Sequence, residues 1–240
     1  MIHFLRGRLH RGGGDQSGFT LIEMIVVISI LGVVLAMVQT MSVMAFKDVG
    51  TNATRLDQAQ QAKSGIESMS KVLRTAVLPS QLLGSCTLCD LSAFLQGTTN
   101  SVSFYANVNN PNNTIGPSKA SYSVDPADPK GKLVEVIQPP DAHLVTDTNY
   151  QYCVASASTC TTDKTRVVAY GVTALSTLFT YYDKNGGVLT PPLDATELTQ
   201  VDSMDIVLTI KRTATTKGTT LTQRVTLPNA DSVVDDTTTP

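Results

Sequence analysis

An uncharged, apolar run near the N-terminus dominates the hydropathy pattern of this 240-residue chain. From Met24 to Phe46 no side chain is charged and no proline occurs. A helix of that length, at about 1.5 Å per residue, is about 34 Å long and spans a hydrocarbon core of about 30 Å. The length of the run exceeds that of ordinary strands, so the pattern predicts a membrane-spanning helix.

The helix is predicted to continue beyond the apolar run. Apolar residues recur at spacings of three and four between Asp48 and Val77, which indicates one apolar stripe on a polar helix. Gly50 is a candidate bend, and Pro79 predicts that the helix ends near Leu78. The predicted stripe consists of Leu56, Ala59, Ala62, Ile66, Met69, Leu73, Ala76 and Val77.

Short runs of β-branched and aromatic residues follow, separated by turn residues, and predict strands. We therefore predict an α+β fold, in which a long N-terminal helix packs on a head built from an antiparallel β-sheet. The predicted strands are Val102–Val108, Ala120–Val124, Leu133–Gln138, Tyr150–Ala155, Arg166–Val172, Leu175–Tyr182, Ser203–Arg212 and Thr220–Leu227.

Four segments make up the predicted domain organisation. Residues 1–18 form a leader, and residues 19–78 form the long helix, whose half 19–46 lies in a membrane or a filament core. Residues 79–227 form the β-rich head. Residues 228–240 are polar and are predicted to be a flexible tail.

The charges around the apolar run predict its orientation and single out one residue. The leader carries Arg6, Arg8 and Arg11 against Asp15, which holds it in the cytoplasm by the positive-inside rule. Glu23 is an acid within the apolar sequence. A carboxylate at the bilayer centre costs roughly 2.5–3.5 kcal/mol, less near the surface, and such residues usually have a function and a partner.

The sequence from Gly18 to Glu23, Gly-Phe-Thr-Leu-Ile-Glu, followed by a long apolar helix, resembles the cleavage and methylation motif of type IV pilins and type II secretion pseudopilins. The resemblance implies that a membrane-embedded prepilin peptidase cuts after Gly18 and methylates the new N-terminus at Phe19. It also implies that Glu23, paired with the terminal ammonium of a neighbour, sets the register of assembly. Many major pilins have a helix-bending proline where this chain has Thr40, so no such bend is expected.

Three further segments resemble J-type pseudopilins and W-type minor pilins, and favour a minor over a major filament subunit. They are Arg55–Ala76, Leu178–Asp183 and Val225–Asn229. The partners implied are prepilin peptidase, other pilin or pseudopilin subunits, an inner-membrane assembly platform and membrane lipid. The implied location is the inner membrane, as a single-pass protein with its head outside the cytoplasm. The chain would then move into a pilus at the cell surface or a pseudopilus in the periplasm.

Other readings of the N-terminus and of the function stay open. Residues 1–36 could be a signal peptide cleaved after Ala36, or the run could be a plain signal anchor, although neither gives Glu23 a role. The chain could also be a membrane-anchored adhesin that does not polymerise. An exported enzyme is a further alternative, but the sequence shows no set of catalytic residues. His143 has no G-x-S-x-G motif to act with and fits a solvated loop.

The four cysteines form two close pairs in the sequence, Cys86 with Cys89 and Cys153 with Cys160. In an exported head, disulfides are the expected state, and four cysteines allow three pairings. The C-x-x-C spacing also occurs in redox and zinc sites. No thioredoxin-like pattern follows it, however, and the second pair is too widely spaced for a zinc knuckle.

Charge and loop composition add little further chemistry. The chain has a formal net charge of −2 and so lacks the positive charge that is typical of nucleic-acid-binding proteins. No nucleic acid is expected as a partner. The segment Asp183–Gly187 has oxygen ligands at alternate positions, as calcium loops do, but it lacks the closing Glu. An Asn-Gly turn is the better interpretation. No cofactor and no metal site is predicted.

Overall fold

The computed structural model describes residues 18–82, 88–113, 115–124, 128, 131–141, 150–153, 164–173, 177–212 and 217–228. The chain divides into two compact units, Met1–Thr51 and Asn52–Pro240. The leader before Gly18, His143 and the tail beyond Pro228 lie outside the described residues.

One α-helix, α1 (Leu21–Leu73, 53 residues), contributes to both units. Its assignment is continuous through Thr40 and Gly50, so neither position breaks the helix. Every described residue from 18 to 51 is exposed. The predicted long N-terminal helix is thereby confirmed, and its apolar side chains in the first unit are exposed in the described part of the chain.

The helix ends at Leu73, earlier than the predicted end near Leu78. Beyond Leu73 the backbone turns and bonds to a strand. Val77 donates its N–H to the carbonyl of Tyr105 at 3.0 Å, and Asn107 donates to Thr75 at 2.8 Å. Hydrogen bonds to a strand therefore replace the helical ones before Pro79, the residue expected to end the helix. A short helix, α2 (Pro79–Leu82), follows.

Antiparallel strands form the rest of the described second unit. They are β1 (Phe94–Gly97), β2 (Ser101–Ala106), β3 (Ser118–Val124), β4 (Leu133–Gln138), β5 (Lys164–Ala169), β6 (Phe179–Tyr182), β7 (Val188–Leu189), β8 (Ser203–Ile210) and β9 (Thr219–Thr226). One sheet has the order β1-β2-β3-β4-β5 and the other has the order β7-β6-β8-β9. The predicted α+β class with antiparallel sheets is confirmed. A 3-10 turn (Pro111–Asn113) and a short helix, α3 (Ala195–Leu198), lie between strands.

Three differences from the predicted strands concern short or irregular segments. β1 and β7 were not predicted, because the four residues of one and the two of the other carry too little pattern. The prediction of a strand at Tyr150–Ala155 is wrong for its described part, since residues 150–153 are not in a strand.

A single apolar core joins the second half of α1 to both sheets. The helix contributes Ala62, Ile66, Met69 and Leu73, the first sheet Phe104 and Tyr122, and the second sheet Met204 and Ile206. Gly65 allows this close packing. A Cβ atom at Gly65 would lie 3.1 Å from Cδ2 of Leu208 and 3.7 Å from the Cβ of Ala169.

The helix face that packs on the sheets differs from the predicted stripe at its beginning. Leu56 was expected in the stripe but is 68% exposed, whereas Gln58 is 1% exposed. In the side-chain amide orientation in which both the nitrogen and the oxygen have partners, Gln58 donates to the carbonyl of Lys217 and accepts from the backbone N–H of Arg212. Hydrogen bonding to β-hairpin backbone makes a buried amide favourable at this position.

A buried carboxylate links the first sheet to the helix. Glu135 on β4 is 2% exposed. Its Oε1 accepts from Nε of Arg166, and its Oε2 accepts from Nη2 of Arg166 at 2.9 Å and from the hydroxyl of Tyr122 at 2.6 Å. Arg166 Nη2 also donates to Ser68 on α1. Burial alone would raise the pKa of Glu135, but the hydrogen bonds from Arg166 and Tyr122 hold that pKa below its ordinary value.

Replacing Arg166 with Leu should destabilise the second unit, because it leaves the buried Glu135 carboxylate without its cation. We expect the free energy of unfolding at pH 7 to fall by about 2–3 kcal/mol. That is less than for a fully buried pair, since the Arg166 side chain is 55% exposed. Denaturant unfolding of the detergent-solubilised chain measures the loss.

The control is Arg212→Leu, which breaks an ion pair with Asp57 that is exposed on both sides. It should lower the free energy of unfolding by less than about 1 kcal/mol.

The stabilisation by Glu135 should depend on pH, because its pKa is lower in the folded than in the unfolded chain. The ionised carboxylate contributes stability above its unfolded pKa of about 4.3, and this contribution is lost as pH falls through its folded pKa. The deficit of Arg166→Leu should therefore shrink below about pH 4. A deficit that is constant with pH would contradict this pairing.

Candidate functional site

The residues immediately before α1 lie in an exposed, non-helical segment. Gly18, Phe19 and Thr20 precede the first helical residue. Phe19 is 80% exposed, and a Cβ atom at Gly18 would meet nothing within 4 Å. The peptide bond between Gly18 and Phe19 is therefore sterically accessible among the described residues.

Thr20 acts as the N-cap of α1. Its hydroxyl oxygen accepts from the backbone N–H of Glu23 at 3.3 Å, and its carbonyl accepts from the N–H of Met24 at 3.3 Å. This places Glu23 third in the helix, where the helix dipole favours a carboxylate. The role of Thr20 was not predicted, although Thr-x-x-Glu before an apolar run is the sequence signature of a capping box.

Three hydroxyl side chains within the apolar run bond to the helix that carries them. The hydroxyls of Ser29, Thr40 and Ser42 donate to backbone carbonyls three or four residues earlier, at distances between 2.7 and 2.9 Å. In a hydrocarbon environment each polar group must be satisfied internally, and these are. By length and composition, α1 is a candidate membrane-spanning helix.

The predicted assembly acid lies in the first turn of α1. Glu23 is exposed, and no described residue forms an ion pair with it. The structure therefore brings Gly18, Phe19 and Glu23 together at one end of the helix. Their roles in cleavage, methylation and assembly remain predictions.

The cysteines are only partly described. Cys89 and Cys153 lie in the described ranges, and neither has a free thiol. Cys86 and Cys160 lie outside those ranges, so the pairing stays a prediction. Nearby, Gln138 donates from its Nε2 to the carbonyl of Cys153, which fixes this segment beside β4.

The segment Asp183–Gly187 forms the predicted turn. The N–H of Gly186, at a φ of 80°, donates to the carbonyl of Asp183 at 3.0 Å. The Asp183 carboxylate accepts from the N–H groups of Asn185 and Gly187 at 2.8 and 2.7 Å. One carboxylate oxygen of Asp183 thus organises its own turn.

A charged cluster, separate from that of Glu135 and Arg166, lies on the sheet with the order β7-β6-β8-β9. Asp205 accepts two hydrogen bonds from Arg224, at 2.8 and 2.9 Å, and one from the Tyr182 hydroxyl at 2.9 Å. The Arg224 guanidinium lies over the Tyr182 ring, 3.9 Å from its centre. Hydrogen bonds from Arg224 hold the pKa of Asp205 below its ordinary value. Because its donors and acceptors satisfy one another, this cluster is a structural cross-strand contact.

Comparison with known proteins gives one positive finding. Residues 14–38 match the family model described as the prokaryotic N-terminal methylation motif. The matched range contains Gly18, Phe19, Thr20 and Glu23 and most of the apolar run. No curated protein and no solved structure matches the chain.

The cysteine prediction is tested by labelling the native protein with a thiol reagent after denaturation without reduction. We expect no reactive thiol at Cys86, Cys89, Cys153 or Cys160, and reaction of all four after reduction. The reduced sample is the control for access of the reagent. Reactive thiols in the unreduced sample, or one tightly bound zinc ion per chain, would show that the disulfide prediction is wrong.

Proposed function

We propose that this chain, which carries the prokaryotic N-terminal methylation motif, is a structural filament subunit of the type IV pilin and pseudopilin class and not an enzyme. In this proposal prepilin peptidase cuts after Gly18 and methylates the nitrogen of Phe19. The observation that carries the proposal is the coincidence of the matched motif with an exposed Gly18–Phe19 bond and a long apolar helix.

The apolar half of α1 supplies the physical reason for assembly. Its side chains are exposed throughout the first unit, so they need lipid before assembly and the helices of other subunits afterwards. Cleavage releases an ammonium at Phe19 that stays cationic after methylation. We propose that this ammonium pairs with Glu23 of a neighbouring subunit and so fixes the register between helices.

We further propose a minor subunit, in a type IV pilus or a type II secretion pseudopilus. The proposal rests on the resemblance of the helix and of two strand segments to J-type and W-type subunits. Its partners are other pilin-like subunits, the inner-membrane assembly platform and lipid. The basic leader supports a single-pass topology with the head outside the cytoplasm.

Processing is tested by intact-mass and N-terminal analysis of the protein from its native host. We expect a chain that begins at N-methylated Phe19, because the leader ends there and the scissile bond is accessible. A strain without prepilin peptidase is the control and should keep the leader. A chain that begins at Met37 would show that the N-terminus is an ordinary signal peptide.

Assembly is tested by replacing Glu23 with Val or Gln. Both changes remove the charge but leave the backbone N–H that Thr20 caps, so membrane insertion and cleavage should persist. Recovery in sheared filaments, or crosslinking to partner subunits, should fall at least ten-fold because the pair that sets register is lost, a change of about 1.4 kcal/mol or more. Fractionation into membrane and filament protein measures the effect.

The matched control is Glu67→Val, which removes an acid from the same helix. Glu67 is exposed, and its ion pair among the described residues is with Lys63 of the same helix at 3.8 Å, so assembly should be unchanged. If Glu23→Val assembles and crosslinks like the wild type, the ion-pair account of register is wrong.

A further inference from the structure

The N–H group of Glu23 bonds to a side chain and not to a backbone carbonyl. In a regular α-helix each N–H bonds the carbonyl four residues earlier, so Glu23 would bond Phe19 and Ile22 would bond Gly18. In the structure the N–H of Glu23 donates instead to the Thr20 hydroxyl at 3.3 Å. The helical bonds reach back to the carbonyl of Thr20, which accepts from Met24.

An N-terminal extension of the helix would engage the bond that is cut. Hydrolysis adds a water oxygen to the carbonyl carbon of Gly18 and a proton to the nitrogen of Phe19 as the C–N bond breaks. If Ile22 donated to the Gly18 carbonyl, that carbonyl would be held inside a helical turn. A protease would then have to unwind the turn before it could reach the carbonyl carbon.

The surroundings of the segment favour such an extension. Phe19, Leu21 and Ile22 are apolar, and in or near a bilayer an unpaired backbone carbonyl is costly, so a helix there tends to lengthen. The low helix propensity of Gly18 opposes this extension only weakly. A side chain that accepts the N–H of Glu23 therefore helps to fix the start of α1.

We propose that Thr20 is a positioning residue for processing, whose hydroxyl caps α1 and keeps the Gly18–Phe19 peptide bond outside the helix, where prepilin peptidase can reach it. This inference rests on the proposed function, because it presupposes cleavage after Gly18. It assigns Thr20 no contact with the peptidase.

The test compares the full-length chain with Thr20→Val, which keeps the shape but lacks the hydroxyl, and Thr20→Ser, which keeps the hydroxyl. Each protein, in lipid vesicles, is incubated with purified prepilin peptidase, and the cleavage rate is measured. The carbon chemical shifts of Gly18 and Phe19 are measured by NMR in the same lipid. Loss of an N-cap costs about 1 kcal/mol, which shifts the balance from a helix that starts at Leu21 toward a longer one by about five-fold, so Thr20→Val should be cleaved up to about five-fold more slowly.

The cleavage rate and the chemical shifts of Phe19 are expected to change together. In Thr20→Val the shifts of Phe19 should move toward helical values as cleavage slows, and in Thr20→Ser both should return to those of the wild type. Wild-type cleavage of Thr20→Val would overturn the inference, and so would slow cleavage with Phe19 still non-helical, since the peptidase would then recognise the hydroxyl itself. If the wild-type chain is not cut after Gly18 at all, the proposed function fails instead.

Discussion

The exposed apolar surface of α1 is the constraint on which the other features of the first unit depend. Every described residue from 18 to 51 is exposed, and the run from Met24 to Phe46 has no charge. Such a surface is stable only against lipid or other apolar helices. The same constraint explains why hydroxyls in the run bond to their own helix, and why an acid in its first turn calls for a cation.

The second unit is held by interactions that do not involve the apolar run. Residues from Ala62 to Leu73 pack into one core with both sheets, and the Glu135–Arg166 pair ties the sheet to Ser68 of the helix. A change in this unit should therefore alter stability without altering processing. Changes at Thr20 should alter processing, and changes at Glu23 should alter assembly, while the stability of this unit stays the same, so folding defects can be told apart from processing and assembly defects.

Features encoded locally could be predicted from the sequence, and features that depend on pairing could not. Hydropathy suffices for the long helix, whereas the roles of Gly18, Phe19 and Glu23 remain predictions from the motif. The end of α1 at Leu73 depends on backbone bonds to β2, and the burial of Gln58 depends on a hairpin distant in sequence. The Thr20 cap was encoded locally but missed, because the capping-box pattern lies within the processing motif. The cysteine pairing is not encoded in spacing.

The most direct test of this account is to identify what covers the apolar helix in the cell. A photo-crosslinking residue in place of Leu35, which lies within the run and is 53% exposed, reports its neighbours. In a host without prepilin peptidase we expect adducts with lipid, and in the wild-type host we expect adducts with other pilin-like subunits. Lipid adducts alone in both hosts, with the mature chain present, would contradict assembly through this helix.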